Sequence, residues 1–199
     1  MLSTMRAHAR REGIPVLSSG SARFLTHIVR LAKPSRVLEI GTAIGYSAIL
    51  MAKAHPDVHI KTFEKDEALA DRARGYIREA GLFERIEVVC ADARDIADNP
   101  FDVPFDFLFI DAGKAHYETF FEHLSPYLAE GGVLLADNAR FMNLDKSEAP
   151  KRHHRLIERM TAFNERLERD RRFDAHVYDI DDGMLLAIKE DGDATLCDE

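Results

Sequence analysis

Along this chain, short runs rich in β-branched residues alternate with longer stretches whose apolar positions recur every three or four residues. Two helices, about 3–11 and 20–32, are joined by Ile14-Pro15-Val16-Leu17 and precede a first strand over Arg36 to Ile40. A turn leads into a helix over Tyr46 to Ala54. The second strand, Val58 to Phe63, ends at Glu64 and is followed by a charged amphipathic helix from about Glu67 to Ala80, which Gly81 is placed to stop. Ile86 to Cys90 and Phe105 to Ile110 read as strands three and four. After Asp111, a helix puts Tyr117, Phe120, Phe121 and Leu124 on one face. Glu130-Gly131-Gly132 is expected to turn the chain into strand five, Val133 to Ala136. The helix after Pro150 aligns Leu156, Ile157, Met160, Phe163 and Leu167. Val177 to Ile180, the turn Asp181-Asp182-Gly183, and Met184 to Ile188 then form a closing β-hairpin.

This alternation predicts an α/β fold: a mostly parallel sheet with helices on both faces, and one antiparallel strand added by the hairpin. Neither a repeat nor a linker interrupts it, so residues 1–199 are expected to form a single domain, 1–33 contributing the leading helices and 190–199 an acidic, disordered tail. At 199 residues, 46% apolar and 31% charged, the chain can bury a full core without disulfide or metal support. The net charge of −8 excludes a surface that is basic all over, though not a local basic patch. No apolar run approaches the ~20 residues a membrane span needs, and the opening MLSTMRAHARREG is too polar for a secretory signal. A cytoplasmic location is expected. Cys90, in strand three, and Cys197, in the tail, have no metal-site spacing and read as one buried and one tail thiol in a reducing compartment.

In such sheets ligands bind beyond the carboxyl ends of the strands, and every candidate site residue falls there. Gly41 and Gly45 let the turn after strand one pass close to a ligand. The turn lacks the full G-x-G-x-x-G pattern and the lysine of a phosphate loop. Glu39 would repel a pyrophosphate but suits a ligand bearing an ammonium group. Glu64, ending strand two, can accept both hydroxyls of a ribose, and Asp92, after strand three, can receive an adenine amino group. A zwitterionic adenosine cofactor fits this set better than NAD. Asp111, Asp137 and Asn138, just past strands four and five, offer two carboxylates and an amide oxygen, a donor set for a hard cation: Mg²⁺, with Mn²⁺ or Ca²⁺ as alternatives.

The segment E-I-G-T-A-I-G-Y-S, residues 39–47, resembles the first motif of class I S-adenosylmethionine methyltransferases, in particular the catechol and caffeoyl-CoA O-methyltransferase family. The similarity runs from Ile14 to the D-D-G turn. It implies a Rossmann-like sheet of seven strands and S-adenosylmethionine as cofactor. By the same resemblance Glu39 holds the methionine end with Gly41 and Ser47 nearby, Glu64 takes the ribose, and Asp92 and Ala93 border the adenine. F-I-D-A-G-K and A-D-N resemble the family's metal-binding segments. Asp111 then serves cofactor, metal and catalysis, Asp137 and Asn138 complete the metal set, and Lys114 is the catalytic base. Dimerisation is implied by the family alone.

For the methyl acceptor, the segments I-P-V, R-V-L-E-I-G-T-A-I-G-Y-S and A-P-K-R-H-H-R look most like those of bacterial enzymes that methylate 5-hydroxyuridine in the tRNA anticodon loop. A tRNA substrate is therefore expected, with the basic run Lys151 to Arg155, together with Arg140 and Lys146, near the rim. Arg140 departs from the family, which carries apolar residues after the D-N pair. The alternative is a small-molecule O-methyltransferase for catechol-like or hydroxycinnamoyl substrates. A non-catalytic cofactor-binding module would have no use for Asp111, Lys114, Asp137 and Asn138. An NAD-dependent oxidoreductase ranks last, because the glycine turn is wrong for it.

Overall fold

The computed structural model describes residues 1–98, 101–140 and 149–191. Seven strands make one sheet, and the chain divides into two compact units, residues 1–100 and 101–199.

The first unit holds α1 (Leu2–Glu12), α2 (Ser19–Ala32), β1 (Arg36–Ile40), α3 (Tyr46–Ala54), β2 (His59–Glu64), α4 (Glu67–Glu79) and β3 (Ile86–Cys90), followed by a 3-10 turn over Ala93–Asp98. Its strands run in the order β3-β2-β1, all parallel, with Ile40 opposite Phe63 and Glu64 opposite Cys90. Val37, Leu38, Glu39 and Ile40 are all buried, as expected of a strand covered on both faces. Helix starts follow local chemistry: the Ser18 hydroxyl accepts from the Ser21 amide at 3.0 Å, and the Asp66 carboxylate from the Leu69 amide at 3.0 Å. Each such cap is worth about 1 kcal/mol. Arg6 fastens α1 to the chain ahead of α2, donating to the carbonyls of Leu17 at 2.9 Å and Ser18 at 2.7 Å, and to the Tyr46 hydroxyl at 2.7 Å. The expected burial of Cys90 is corrected, since its thiol is exposed. β3 ends the strand order, and of its five residues only Ile86 is buried.

The second unit holds β4 (Phe105–Ile110), α5 (Tyr117–Leu124), β5 (Leu128–Asp137), α6 (His154–Glu168), β6 (Phe173–Tyr178) and β7 (Met184–Lys189). The order is β4-β5-β7-β6, with β4 and β5 parallel and β7 antiparallel to both its neighbours. The α/β fold class with one antiparallel strand is therefore as expected. Tyr117, Phe120, Phe121 and Leu124 are buried together, as their spacing predicted, and so are Ile157, Met160, Phe163 and Leu167.

Two strands differ from their expected bounds by more than one residue. Strand five begins at Leu128 rather than Val133: Phe105 pairs with Leu128 and Phe107 with Val133, so Glu130-Gly131-Gly132 lies in a bulge inside the strand. Strand six covers Phe173–Tyr178 rather than Val177–Ile180. Its period-2 pattern, Phe173 and Val177 inward with Asp174, His176 and Tyr178 outward, is diluted in sequence by the polar partners. Lys146, Cys197 and residues 192–199 of the expected tail lie outside the described residues.

Candidate functional site

In the first unit the turn after β1 is pinned from below and from the side. The amides of Gly41 and Thr42 both donate to the Phe63 carbonyl, at 3.0 and 3.2 Å. Gly41, Ala43 and Gly45 all have positive φ, at 101, 46 and 81°. At Gly45, whose φ of 81° already favours glycine, a Cβ would lie 3.3 Å from the Ala73 Cβ, a tight contact, so glycine lets α3 start close against α4. Ala43 donates its amide to Glu64 Oε2 at 2.8 Å, and Asp66 its amide to Oε1 at 3.0 Å. Glu64 is thus fixed in place, and each oxygen keeps a lone pair for a hydroxyl donor.

Glu39 is the anomaly of this unit. It is 0% exposed, and neither carboxylate oxygen has a hydrogen-bond partner. Burial pushes its pKa up to about 7; the nearby hydroxyls of Ser47 and Thr62 pull it down only in part, and the charge of Glu64 adds to the rise. Thr62 Oγ1 is engaged with Thr42 Oγ1 at 2.6 Å. A buried carboxylate without a partner is costly, and a ligand ammonium would remove that cost. Ser47, in the first turn of α3, is buried too. Ala93 is buried, whereas Asp92 is held by Arg94, whose Nη2 donates to Oδ2 at 2.6 Å and whose amide and Nε both donate to Oδ1 at 3.0 Å. Those contacts hold the Asp92 carboxyl down at about 2. A guanidinium therefore stands where an adenine amino group was expected.

In the second unit, β4 and β5 pair up to Ile110 opposite Ala136. Asp111 and Asp137 are the next residues on these neighbouring parallel strands, whose backbones lie about 5 Å apart. Asp137 is 3% exposed. Asn138 sits at φ 53°, a left-handed conformation that asparagine tolerates better than most residues. Lys114 opens the short 3-10 turn Lys114–His116, and its Nζ donates to Asn138 Oδ1 at 2.8 Å. Asn138 Oδ1 thus already faces a cation. Among the described residues no three His, Cys, Asp or Glu side chains form a metal-holding group, so a metal here needs the Asn138 amide oxygen beside the two carboxylates. That all-oxygen set suits Mg²⁺, Mn²⁺ or Ca²⁺.

Three residues support the site in roles the sequence did not reveal. Tyr117, expected only as part of an apolar face, donates its buried hydroxyl to the Asp137 carbonyl at 2.7 Å and lies 3.4 Å from the Ile110 carbonyl. Burial, helped by the charges of Asp111 and Asp137, holds its pKa well above the usual phenol range, so it remains a donor. A buried tyrosine hydroxyl needs a partner, and that requirement was the available signal. Asn164, on α6, donates to the Ala139 carbonyl at 2.9 Å. Gly183, at φ 83°, lets the hairpin turn close on the segment after Asn138: Ala139 donates its amide to the Gly183 carbonyl at 2.9 Å, and Arg140 its amide to Asp182 at 2.8 Å. A Cβ on Gly183 would come within 2.8 Å of the Arg140 nitrogen. Arg140 also ion-pairs with Asp179 at 3.3 Å, which accounts for this family-atypical residue as a tether to the hairpin.

Lys151, Arg152, Arg155 and Arg159 are exposed, and Arg152 Nε donates to His153 Nε2 at 2.9 Å. The i, i+4, i+8 spacing of Lys151, Arg155 and Arg159 makes them neighbours along one side of the turn and helix. No helix among the described residues is long and apolar enough to cross a membrane.

An O-methyltransferase family model matches residues 2–190. A caffeoyl-CoA O-methyltransferase of Populus kitakamiensis is 30% identical over 82% of this chain and 74% of its own length. A catechol O-methyltransferase of Niastella koreensis is 33% identical over 63% of this chain and 60% of its own. Among solved structures, the O-methyltransferase TomG of Streptomyces achromogenes, involved in tomaymycin synthesis and in complex with SAM, superposes with a TM-score of 0.82 at 28% identity, over 96% of this chain and 89% of that one. The chain belongs to the O-methyltransferase family, as an S-adenosylmethionine-dependent enzyme of the caffeoyl-CoA and catechol O-methyltransferase type.

Proposed function

We propose that this O-methyltransferase works with a divalent cation, Mg²⁺ or a substitute such as Mn²⁺ or Ca²⁺, on an acceptor that presents two adjacent oxygens. The observation that carries the reading is the all-oxygen cluster at the ends of β4 and β5, where Asn138 Oδ1 already receives the Lys114 ammonium at 2.8 Å. When bound, the cofactor supplies an electrophilic methyl on a sulfonium, and the dication makes a deprotonated acceptor oxygen affordable near neutral pH. Glu39 neutralises the cofactor's ammonium, Ser47 lies beside it, and Glu64 accepts from the ribose. Gly41 keeps the turn open, while Asp92 and Ala93 border the adenine. Asp111, Asp137 and Asn138 hold the dication. Lys114, whose Nζ lies beside this set at 2.8 Å from Asn138 Oδ1, would take the acceptor's hydroxyl proton.

A small catechol-like or hydroxycinnamoyl acceptor is supported by the relatives. A second reading, 5-hydroxyuridine of a tRNA anticodon loop converted to 5-methoxyuridine, is supported by one observation, the exposed basic stripe Lys151, Arg152, Arg155 and Arg159. The 5-hydroxyl and 4-carbonyl of that base are adjacent oxygens, and a loop base can be splayed into a pocket. Methyl transfer to 3,4-dihydroxybenzoate and to hydroxyuridine-bearing tRNA, each with Mg²⁺ and with a chelator, tests both. Chelation is expected to abolish transfer; full activity in chelator would sink the metal reading. A tRNA acceptor should lose affinity steeply between 50 and 200 mM salt, on the order of 10³-fold for six phosphate contacts, whereas a small phenol should be nearly indifferent.

A further inference from the structure

Past Ile110 and Ala136 the ladder between β4 and β5 ends. Beyond that point nothing in the strand pairing between them fixes how Asp111 stands relative to Asp137 and Asn138. The Tyr117 hydroxyl does bridge this gap. It donates to the carbonyl of Asp137 at 2.7 Å and lies 3.4 Å from that of Ile110, the first a strong contact and the second a weak one. These two carbonyls belong to the peptide planes that lead into Asn138 and into Asp111. Fixing the Asp137 carbonyl fixes the plane about which Asn138 adopts its φ of 53°, the conformation in which its Oδ1 meets Lys114. The segment from Asp111 to Tyr117 is thus held at its far end by Tyr117 and in the middle by the Lys114 side chain. The phenol ring itself is 1% exposed and stands edge-on to Phe163 with centroids 6.3 Å apart, so packing holds the hydroxyl in position.

We infer that Tyr117 is a positioning residue for the divalent cation: its hydroxyl sets the spacing and the peptide orientation of the strand ends that carry Asp111, Asp137 and Asn138. This rests on the metal-dependent reading above. The requirement is specific to the hydroxyl, because phenylalanine would keep the ring packing and lose the bridge. Outer hydrogen bonds of this kind commonly change metal affinity by about 10- to 100-fold.

The test is Mn²⁺ affinity, read from the free-ion paramagnetic resonance signal in the absence of turnover, for the wild type, Tyr117→Phe and Phe163→Leu. All titrations contain saturating S-adenosylhomocysteine, which stabilises the folded state of a weakened variant by mass action. Tyr117→Phe is expected to bind Mn²⁺ about tenfold more weakly, to bind S-adenosylhomocysteine as the wild type does, and to regain most of its kcat once Mn²⁺ is saturating. Phe163→Leu loosens the ring packing but keeps the hydroxyl, and should retain wild-type Mn²⁺ affinity. An equal loss in both variants would make the effect one of packing and overturn the inference, as would unchanged affinity in Tyr117→Phe. If Tyr117→Phe does not fold, 4-aminophenylalanine at this position restores a donor at the same place. It should hold Mn²⁺ within about threefold of the wild type, and a larger loss in the folded variant overturns the role. Absence of Mn²⁺ binding by the wild type would overturn the metal reading together with this one, an outcome distinct from unchanged affinity in a variant.

Discussion

The two units handle buried charge in opposite ways. In the first unit, Glu39 is a fully buried carboxylate with no hydrogen-bond partner, and its pKa stands near 7. In the second, the polar groups around Asp137 and Asn138 already answer one another: Lys114 bonds the Asn138 amide oxygen and Tyr117 the Asp137 carbonyl. Glu39 in the first unit therefore lacks a cation beside it, whereas the Asn138 oxygen in the second already has the Lys114 ammonium against it. A buried unpaired group gains the most from its ligand; a satisfied cluster gives up bonds before it gains any. Cofactor affinity should thus rest heavily on one residue, and metal affinity should be modest and spread over several.

The strongest way to break this contrast acts on the acceptor half. Lys114→Ala removes the proposed proton acceptor and the resident cation together. Turnover is expected to fall by about 10²- to 10⁴-fold, the usual range for a positioned general base, with cofactor affinity unchanged by calorimetry. Undiminished turnover would take Lys114 out of the mechanism. Because the ammonium no longer competes for Asn138 Oδ1, Mn²⁺ affinity should hold or rise in the same variant, the opposite of what loss of a ligand would do.

The complementary variant is Glu39→Gln. Losing a buried charge pair to the cofactor's ammonium should cost roughly 100-fold in cofactor affinity, at about 1.5–3 kcal/mol for a charge-assisted hydrogen bond, while Mn²⁺ affinity stays put. Its stability should move the other way. The folded-state pKa of Glu39, about 7, lies above the 4.5 of a freely exposed glutamate, so the folded form holds a proton that the unfolded chain releases. Stability from this group is present at low pH and is lost as pH rises from 4.5 toward 7, by about 3 kcal/mol at most. Thermal denaturation of the cofactor-free protein should show a lower Tm at pH 7.5 than at pH 5 from this source. The slope should flatten in Glu39→Gln and shrink when cofactor is bound. A slope identical in both proteins would remove Glu39 as its origin.

Legibility in the sequence divides along the same line. β1, α3, β3 and β4 have the boundaries their patterns predicted, because each is an uninterrupted apolar run or helical stripe between clear turn residues. Gly41, Glu39 and Glu64 were readable because strand ends and glycine turns are local features. The burial of Glu39 was not, since it depends on what packs over β1. The bulge at Glu130-Gly131-Gly132 reads in sequence as a turn, because a glycine pair signals a change of direction without saying whether the strand resumes. Tyr117 and Asn164 were hidden for another reason: each belongs to an apolar helical stripe, and only the fold shows that its polar end reaches a backbone carbonyl beside the candidate ligands. Arg140 looked like part of a substrate rim from its charge alone, yet it pairs with Asp179 across the closing hairpin.

The smallest expected effect sharpens the cofactor half. Asp92 was expected to receive an adenine amino group, but its carboxylate is held by Arg94 through Nε, Nη2 and the backbone amide. A two-oxygen carboxylate has about four acceptor positions, so Arg94 and an amino group can both be served if the guanidinium acts as a brace. If Arg94 instead competes for the oxygens, removing it should strengthen cofactor binding. The Arg94 side chain is half exposed and the pair is screened, so either effect is limited to a change of less than about fivefold. The brace reading predicts that Arg94→Ala weakens S-adenosylhomocysteine binding by about two- to threefold, with Mn²⁺ affinity untouched. A tightening of the same size would identify the guanidinium as a placeholder that leaves when the adenine arrives. The cofactor half would then share the device that Lys114 represents in the acceptor half, and the contrast between them would narrow to Glu39 alone.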